Sequence, residues 1–219
     1  EINNSGGING RKVVLIEENS LCEATAALSA VRKLIDIDKV KYILGGHCST
    51  DSLAAAPIAE KNKVILLASI TTSPVYSDAG DYIFRTSSVS TQQADLVSDY
   101  AIKNNIKKFA IVYENKDYPR PIAEALKKNI EQKGGTVLLF ESYLTEETDF
   151  RSILVKVKQS GAEAIFIAPQ SPDKAAMLLK QIKELKLVIK VFGNEQIGSS
   201  ATMAISGSEA AEGVIFETE

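Results

Sequence analysis

Short runs of branched apolar residues alternate along the chain with stretches whose apolar positions recur every three or four residues. The first pattern fills buried strands and the second lines one face of a helix. The order begins with a buried strand over 13–16 and a helix over 23–35, with Ala27, Leu28, Val31, Leu34 and Ile35 on one face. A strand over 42–44 ends in Gly45-Gly46 and leads to a helix over 49–60, which Pro57 should bend or end early. Strand 64–68 runs into the polar stretch Ser69-Ile70-Thr71-Thr72-Ser73-Pro74, and a short strand over 82–85 runs into Thr86-Ser87-Ser88. The pattern then restarts with helix 91–104, strand 109–113 and helix 121–133, closed by Gly134-Gly135. Strand 136–143, helix 150–160 (N-cap Thr148 or Asp149), strand 164–168, helix 173–185 and strands 190–192 and 214–217 complete it.

Repeated strand–helix–strand units imply parallel sheets covered by helices on both faces. The break near 86–89 divides the pattern into two α/β units, residues 1–88 and 89–219. Open α/β sheets bind ligands beyond the carboxyl ends of their strands. Those positions hold Gly45 to Thr50, Ser69 to Pro74, Glu114 to Tyr118, Pro169 to Pro172 and Gly193 to Glu195. They supply hydroxyls, amides, one Tyr and acidic groups, with no pair of metal ligands and no nucleophile–base pair. Neither GxxxxGK[ST] nor GxGxxG is present.

Composition narrows the partners. A net charge of −3 and a pI near 5.4 disfavour nucleic acid, which usually meets a basic face. No apolar run approaches the ~20 residues of a membrane span. Cys22 and Cys48 form no CxxC pair, which disfavours a zinc ribbon or a thioredoxin-like site.

Several residues carry two readings at this point. Ser49 and Thr50 open a helix, where free N–H groups attract anions; either could bind a carboxylate or simply cap the helix. Thr71 and Thr72 could add donors. Glu195 could accept from an ammonium group or be a solvated surface acid. Tyr118 could pack over a ligand or be an exposed loop residue. His47, the one histidine, has no evident partner, and Asp36 and Asp38 follow a helix end and read as solvated.

The residues resemble the leucine/isoleucine/valine-binding group of type I periplasmic solute-binding proteins. Ile2-Asn3-Asn4-Ser5-Gly6-Gly7-Ile8-Asn9-Gly10 is similar to that family's opening segment. Gly46-His47-Cys48-Ser49-Thr50, Thr71-Thr72-Ser73-Pro74, Tyr82-Ile83-Phe84-Arg85-Thr86, Thr148-Asp149-Phe150 and Ala211-Glu212-Gly213 follow in family order. The resemblance implies two α/β lobes that close on a ligand, no catalysis, no cofactor and delivery to an ABC permease. It implies that Ser49 and Thr72 donate hydroxyls to a ligand carboxylate and that Thr71 offers backbone groups. Glu195 takes the ammonium beside Tyr118, and Thr50, Ser69 and Gln170 complete the lining. It also implies a Cys22–Cys48 disulfide and hence a periplasmic or extracellular location.

Two departures stand out. The family often has an aromatic where Gln170 or Ser171 stands, which implies a more polar side-chain pocket. Family members also begin with one more strand and continue further, which implies an incomplete first lobe with an exposed sheet edge. Arg120 could pair with an acidic ligand or face solvent. Three rival functions remain: the ligand-sensing domain of a signalling receptor, a family member that binds an amide, urea or carboxylate, and an enzyme on the same fold.

Overall fold

The computed structural model describes residues 1–217. Helix α1 (Ala24–Arg32) carries the predicted apolar face and widens into a π-helical turn over Lys33–Ile37. Strand β1 (Tyr42–Leu44), helix α2 (Ser49–Lys61), strand β2 (Ile65–Ala68), a 3₁₀ turn (Pro74–Asp78) and strand β3 (Ile83–Arg85) follow. The three strands are parallel, in the order β1-β2-β3, with Tyr42 opposite Ile65 and Leu66 opposite Ile83. Their core joins Val31 and Ile35 to Ala55, Ala56 and Ala59 of α2 and to Val64, Leu66, Ala68, Tyr76 and Ile83.

One expectation fails in this half, and one of the two alternatives for Pro57 drops out. Pro57 does not end α2 early, because it lies on the exposed side, where water can satisfy the carbonyl that its ring leaves without a donor. The 13–16 segment is neither a strand nor buried: Val14 is 79% and Leu15 80% exposed. A strand needs a backbone ladder to a neighbour, and among the described residues β1 forms its ladder with β2 alone. Instead 13–18 and β1 line a cavity of about 840 Å³ with Ala27, Val31 and Leu34. The apolar pattern there reports hydrophobic content without pairing.

The second half supplies α3 (Thr91–Lys103), β4 (Lys108–Glu114), α4 (Pro119–Gln132), β5 (Thr136–Tyr143), α5 (Arg151–Ser160), β6 (Ala164–Ala168), α6 (Pro172–Glu184) and β7 (Lys190–Gly193). A 3₁₀ turn (Glu195–Gly198), α7 (Ser200–Ser206), α8 (Ser208–Ala211) and β8 (Ile215–Phe216) close it. The sheet is parallel throughout, in the order β5-β4-β6-β7-β8. Alternation along β4 sends Phe109, Ile111 and Tyr113 into a core with α3 and α4. Ala110 and Val112 enter a second core with α5 and α6. Both faces are therefore covered, which is why β4 and β6 read as unbroken apolar runs. At α5 the cap position falls to Phe150, whose ring is buried against Tyr143, while Asp149 still accepts the Arg151 N–H at 3.1 Å.

The strand order has a consequence for function. From β4 the chain steps one way to β5, then crosses back over β4 to β6. Loops leaving β4 and β6 therefore diverge at the carboxyl edge, the kind of position where open α/β sheets bind ligands. Tyr118 and Gln170 lie in those two loops, and Glu195 follows the next strand, β7.

Candidate functional site

The first sheet presents its loops around the start of α2. Cys48, and neither Ser49 nor Thr50, takes the N-cap position. It is fixed twice. Cys22 and Cys48 form a disulfide with a Cα–Cα distance of 5.4 Å, and the buried Asp51 carboxylate accepts the Cys48 N–H at 3.0 Å and the Ser20 hydroxyl at 2.5 Å. A negative charge is stabilised there by the positive end of α2.

Ser49 is buried, and its hydroxyl accepts the Ser73 N–H at 3.2 Å, tying α2 to the 69–74 loop. The Thr71 hydroxyl shares a 2.5 Å hydrogen bond with Ser52, and its carbonyl accepts from Ser87 at 2.8 Å. Thr72 is 5% exposed, and its hydroxyl lacks a partner among the described residues. A buried hydroxyl in that state costs about 1–3 kcal/mol unless something else meets it. Ser69 stays exposed at the margin and offers its carbonyl to the Thr86 hydroxyl. Thr50 points elsewhere: its hydroxyl donates to Asp117 at 2.9 Å.

The second sheet contributes an acid and a phenol. Tyr118 immediately precedes α4, whose first residue is Pro119, and the ring is buried rather than exposed. Its hydroxyl donates to Glu195 Oε1 at 3.2 Å. Burial first, then the Glu195 charge, holds the phenol well above its ordinary pKa, so Tyr118 remains a donor at physiological pH. Glu195 is half-buried.

Beside them, the Gln170 N–H donates at 3.0 Å to Glu114, a buried carboxylate that also accepts from Thr145 at 2.8 Å. The side-chain oxygens of Gln170 and Asn194 are buried without a partner among the described residues, while the Asn194 amide nitrogen donates to the Pro169 carbonyl at 2.9 Å.

Sequence reasoning singled out neither Asp51 nor Glu114 as a support. Asp51 had a signal, standing three residues after the cap, and so had Glu114, an acid closing an apolar strand. Of the residues left open, Arg120 lies 3.5 Å from Asp117 with a half-exposed side chain. His47 is exposed, and Asp38 pairs with Lys33 at 3.0 Å. No group of three or more His, Cys, Asp or Glu among the described residues could hold a metal ion.

Hydroxyls at a helix N-terminus and a phenol-held carboxylate thus stand beyond the strand ends of two parallel α/β units. The family model described as periplasmic binding protein matches residues 1–219, and the chain belongs to that family. The leucine-, isoleucine-, valine-, threonine-, and alanine-binding protein of Pseudomonas aeruginosa is 28% identical over 217 residues, 98% of this chain and 57% of its own length. The Leu/Ile/Val-binding protein homolog 3 of Brucella melitensis is also 28% identical, across 98% of this chain and 58% of its own. The chain thus spans under three-fifths of the length of these curated relatives, each named as a binding protein. Among solved structures, a leucine binding protein from Thermotoga maritima superposes with a TM-score of 0.90 at 25% identity, covering 99% of this chain and 61% of that one. A solute binding protein from Rhodopseudomonas palustris, in complex with 3,4-dihydroxy benzoic acid, gives 0.81 at 22% identity, covering 96% and 63%, a likeness of fold.

Proposed function

We propose that the protein captures a free amino acid, or a molecule like one, between a first lobe of residues 1–88 and a second of residues 89–219, outside the cytoplasm. It then delivers that ligand to an ABC permease and catalyses no reaction. The observation that carries this reading is the half-buried Glu195 held by the buried Tyr118 hydroxyl. A carboxylate so placed suits an ammonium group. The unpartnered Thr72 hydroxyl, with Ser49 at the start of α2, suits the ligand carboxylate, and the Thr71 backbone and Ser69 lie alongside. The names of the relatives support amino acids as the class, and the disulfide supports an oxidising compartment.

A second reading concerns the far end of the ligand. The buried, unpartnered oxygens of Gln170 and Asn194 are acceptors, so they favour a ligand that carries N–H donors there, such as an amide or urea group.

A thermal-shift screen of the full-length protein against amino acids, small amides and short carboxylic acids tests both. A ligand at 100 times its Kd adds about 2.7 kcal/mol of stability. A shift with amino acids bears the proposal out, and a larger one with asparagine or glutamine than with leucine bears out the second reading. A shift confined to simple carboxylic acids removes the role of Glu195, and no shift at all removes the proposal.

A further inference from the structure

We infer that Thr50 and Asp117 form a latch that holds the two lobes closed without touching the ligand. This rests on the two-lobed capture reading above. The Thr50 hydroxyl on α2 donates to Asp117 Oδ2 at 2.9 Å, across 67 residues of sequence and from one sheet unit to the other. Beside it the Lys116 ammonium meets Glu23 at 3.2 Å, again between the two units.

Both ends of this contact are fixed in advance. On the first lobe, Thr50 lies two residues from Cys48, where the disulfide, the Cys48–Asp51 bond and the Ser20–Asp51 bond converge. On the second, Asn115 N–H donates to the Tyr143 carbonyl at 2.9 Å, Lys116 N–H to Glu114 at 2.8 Å, and Arg120 N–H to Lys116 at 3.1 Å. Arg120 also stands 3.5 Å from the other Asp117 oxygen. A contact between two pre-ordered groups loses little conformational freedom on forming. It is also charge-assisted and partly buried, so it outweighs the Lys116–Glu23 pair, whose glutamate is more than half exposed. Thr50 and Asp117 are separate from Ser49, Thr72, Tyr118 and Glu195, so the latch biases the closed state by itself.

The test reads the lobe separation in ligand-free, full-length protein. Single-molecule energy transfer between dyes on non-natural residues at the exposed positions Lys61 and Lys186 leaves the disulfide intact. The closed-to-open ratio should fall about tenfold in Asp117→Ala and in Thr50→Val, as expected for the loss of one charge-assisted bond. The double variant should fall no further, because both changes remove the same bond. Thr50→Ser, which keeps the hydroxyl, should match the wild type, and Asp117→Asn, which keeps an acceptor without the charge, should fall between. A variant that loses its circular dichroism is replaced in the comparison by these two conservative changes. Unchanged ratios, additive losses in the double variant, or a wild type that never closes without ligand would each overturn the latch. No amino acid is present, so failure of the amino-acid reading leaves this result standing, and the thermal-shift screen is equally independent of the latch.

Discussion

Replacing Glu195 with Gln probes the proposed ammonium contact while disturbing little else. Gln has nearly the same volume, and its side-chain carbonyl can still accept the Tyr118 hydroxyl that lies 3.2 Å from Glu195 Oε1. The change therefore removes a charge and keeps a hydrogen bond. A charge-assisted bond contributes about 1.5–3 kcal/mol, so Kd for an amino acid should rise by about 10- to 150-fold. Titration calorimetry near pH 7, with the best amino acid from the thermal-shift screen, gives Kd directly. The matched carboxylic acid without its amino group supplies the second leg of a cycle. It should bind the wild type more weakly and be nearly indifferent to Glu195→Gln, since it offers no ammonium to lose. Equal losses for the two ligands, or an unchanged Kd with an unchanged melting temperature, would refute the assignment of Glu195.

Three further outcomes are expected. Cys22→Ser with Cys48→Ser opens a bond that spans 26 residues, which should lower stability by about 3.5 kcal/mol and Tm by about 10 °C in calorimetry; free thiols in the denatured, unreduced wild type would contradict the bond. Gln170→Leu replaces an unpartnered buried acceptor with an apolar group, so Kd for leucine relative to glutamine should fall by about fivefold or more in competition titrations; no change in the ratio would place Gln170 away from the ligand's far end. Glu163 accepts the N–H groups of Lys107 and Lys108, and these bonds hold its carboxylate below the ordinary pKa. A depressed folded-state pKa gives stability that is present above the ordinary glutamate pKa and lost as pH falls through the folded value. The Tm difference between wild type and Glu163→Gln should therefore shrink as pH falls from 6 toward 3; a difference independent of pH would exclude the charge as the cause.

The parts of the fold legible in the sequence are those that burial alone decides. Strands β4 and β6 lie between two helical layers, so each prints an unbroken apolar run, and the helices around them print one apolar face each. At 13–16 the same reading fails, because an apolar run states that a segment avoids water and not which backbone it pairs with. Pro57 leaves its outcome open for a related reason. Its cost depends on whether the freed carbonyl can reach solvent, and that follows from the side of α2 on which it falls. Disulfide pairing lies outside both periodicities and became legible through family resemblance alone.

The candidate site divides along the same line. Position after a strand end singled out Tyr118, Gln170 and Glu195, but it could not say which strand ends are neighbours. That is set by the crossover from β5 over β4 to β6, which makes the strands that precede the 115–118 and 169–171 loops direct neighbours. The supports are hidden for a different reason. Asp51 and Glu114 are buried acids; apart from the Cys48 N–H three residues before Asp51, the partners named above, Ser20, Thr145 and the Gln170 N–H, come from 31 or more residues away. The capping position of Asp51 and the strand-end position of Glu114 are local signals, but neither identifies the distant donors that the fold brings to the charge. Thr50 shows the limit most directly. A hydroxyl at the start of a helix reads as an anion ligand or a cap, and the acceptor it finds instead, Asp117, belongs to the other lobe. Local chemistry can therefore nominate polar groups at strand ends, whereas a bond such as Thr50–Asp117, between residues 67 apart in sequence, is defined only by the fold.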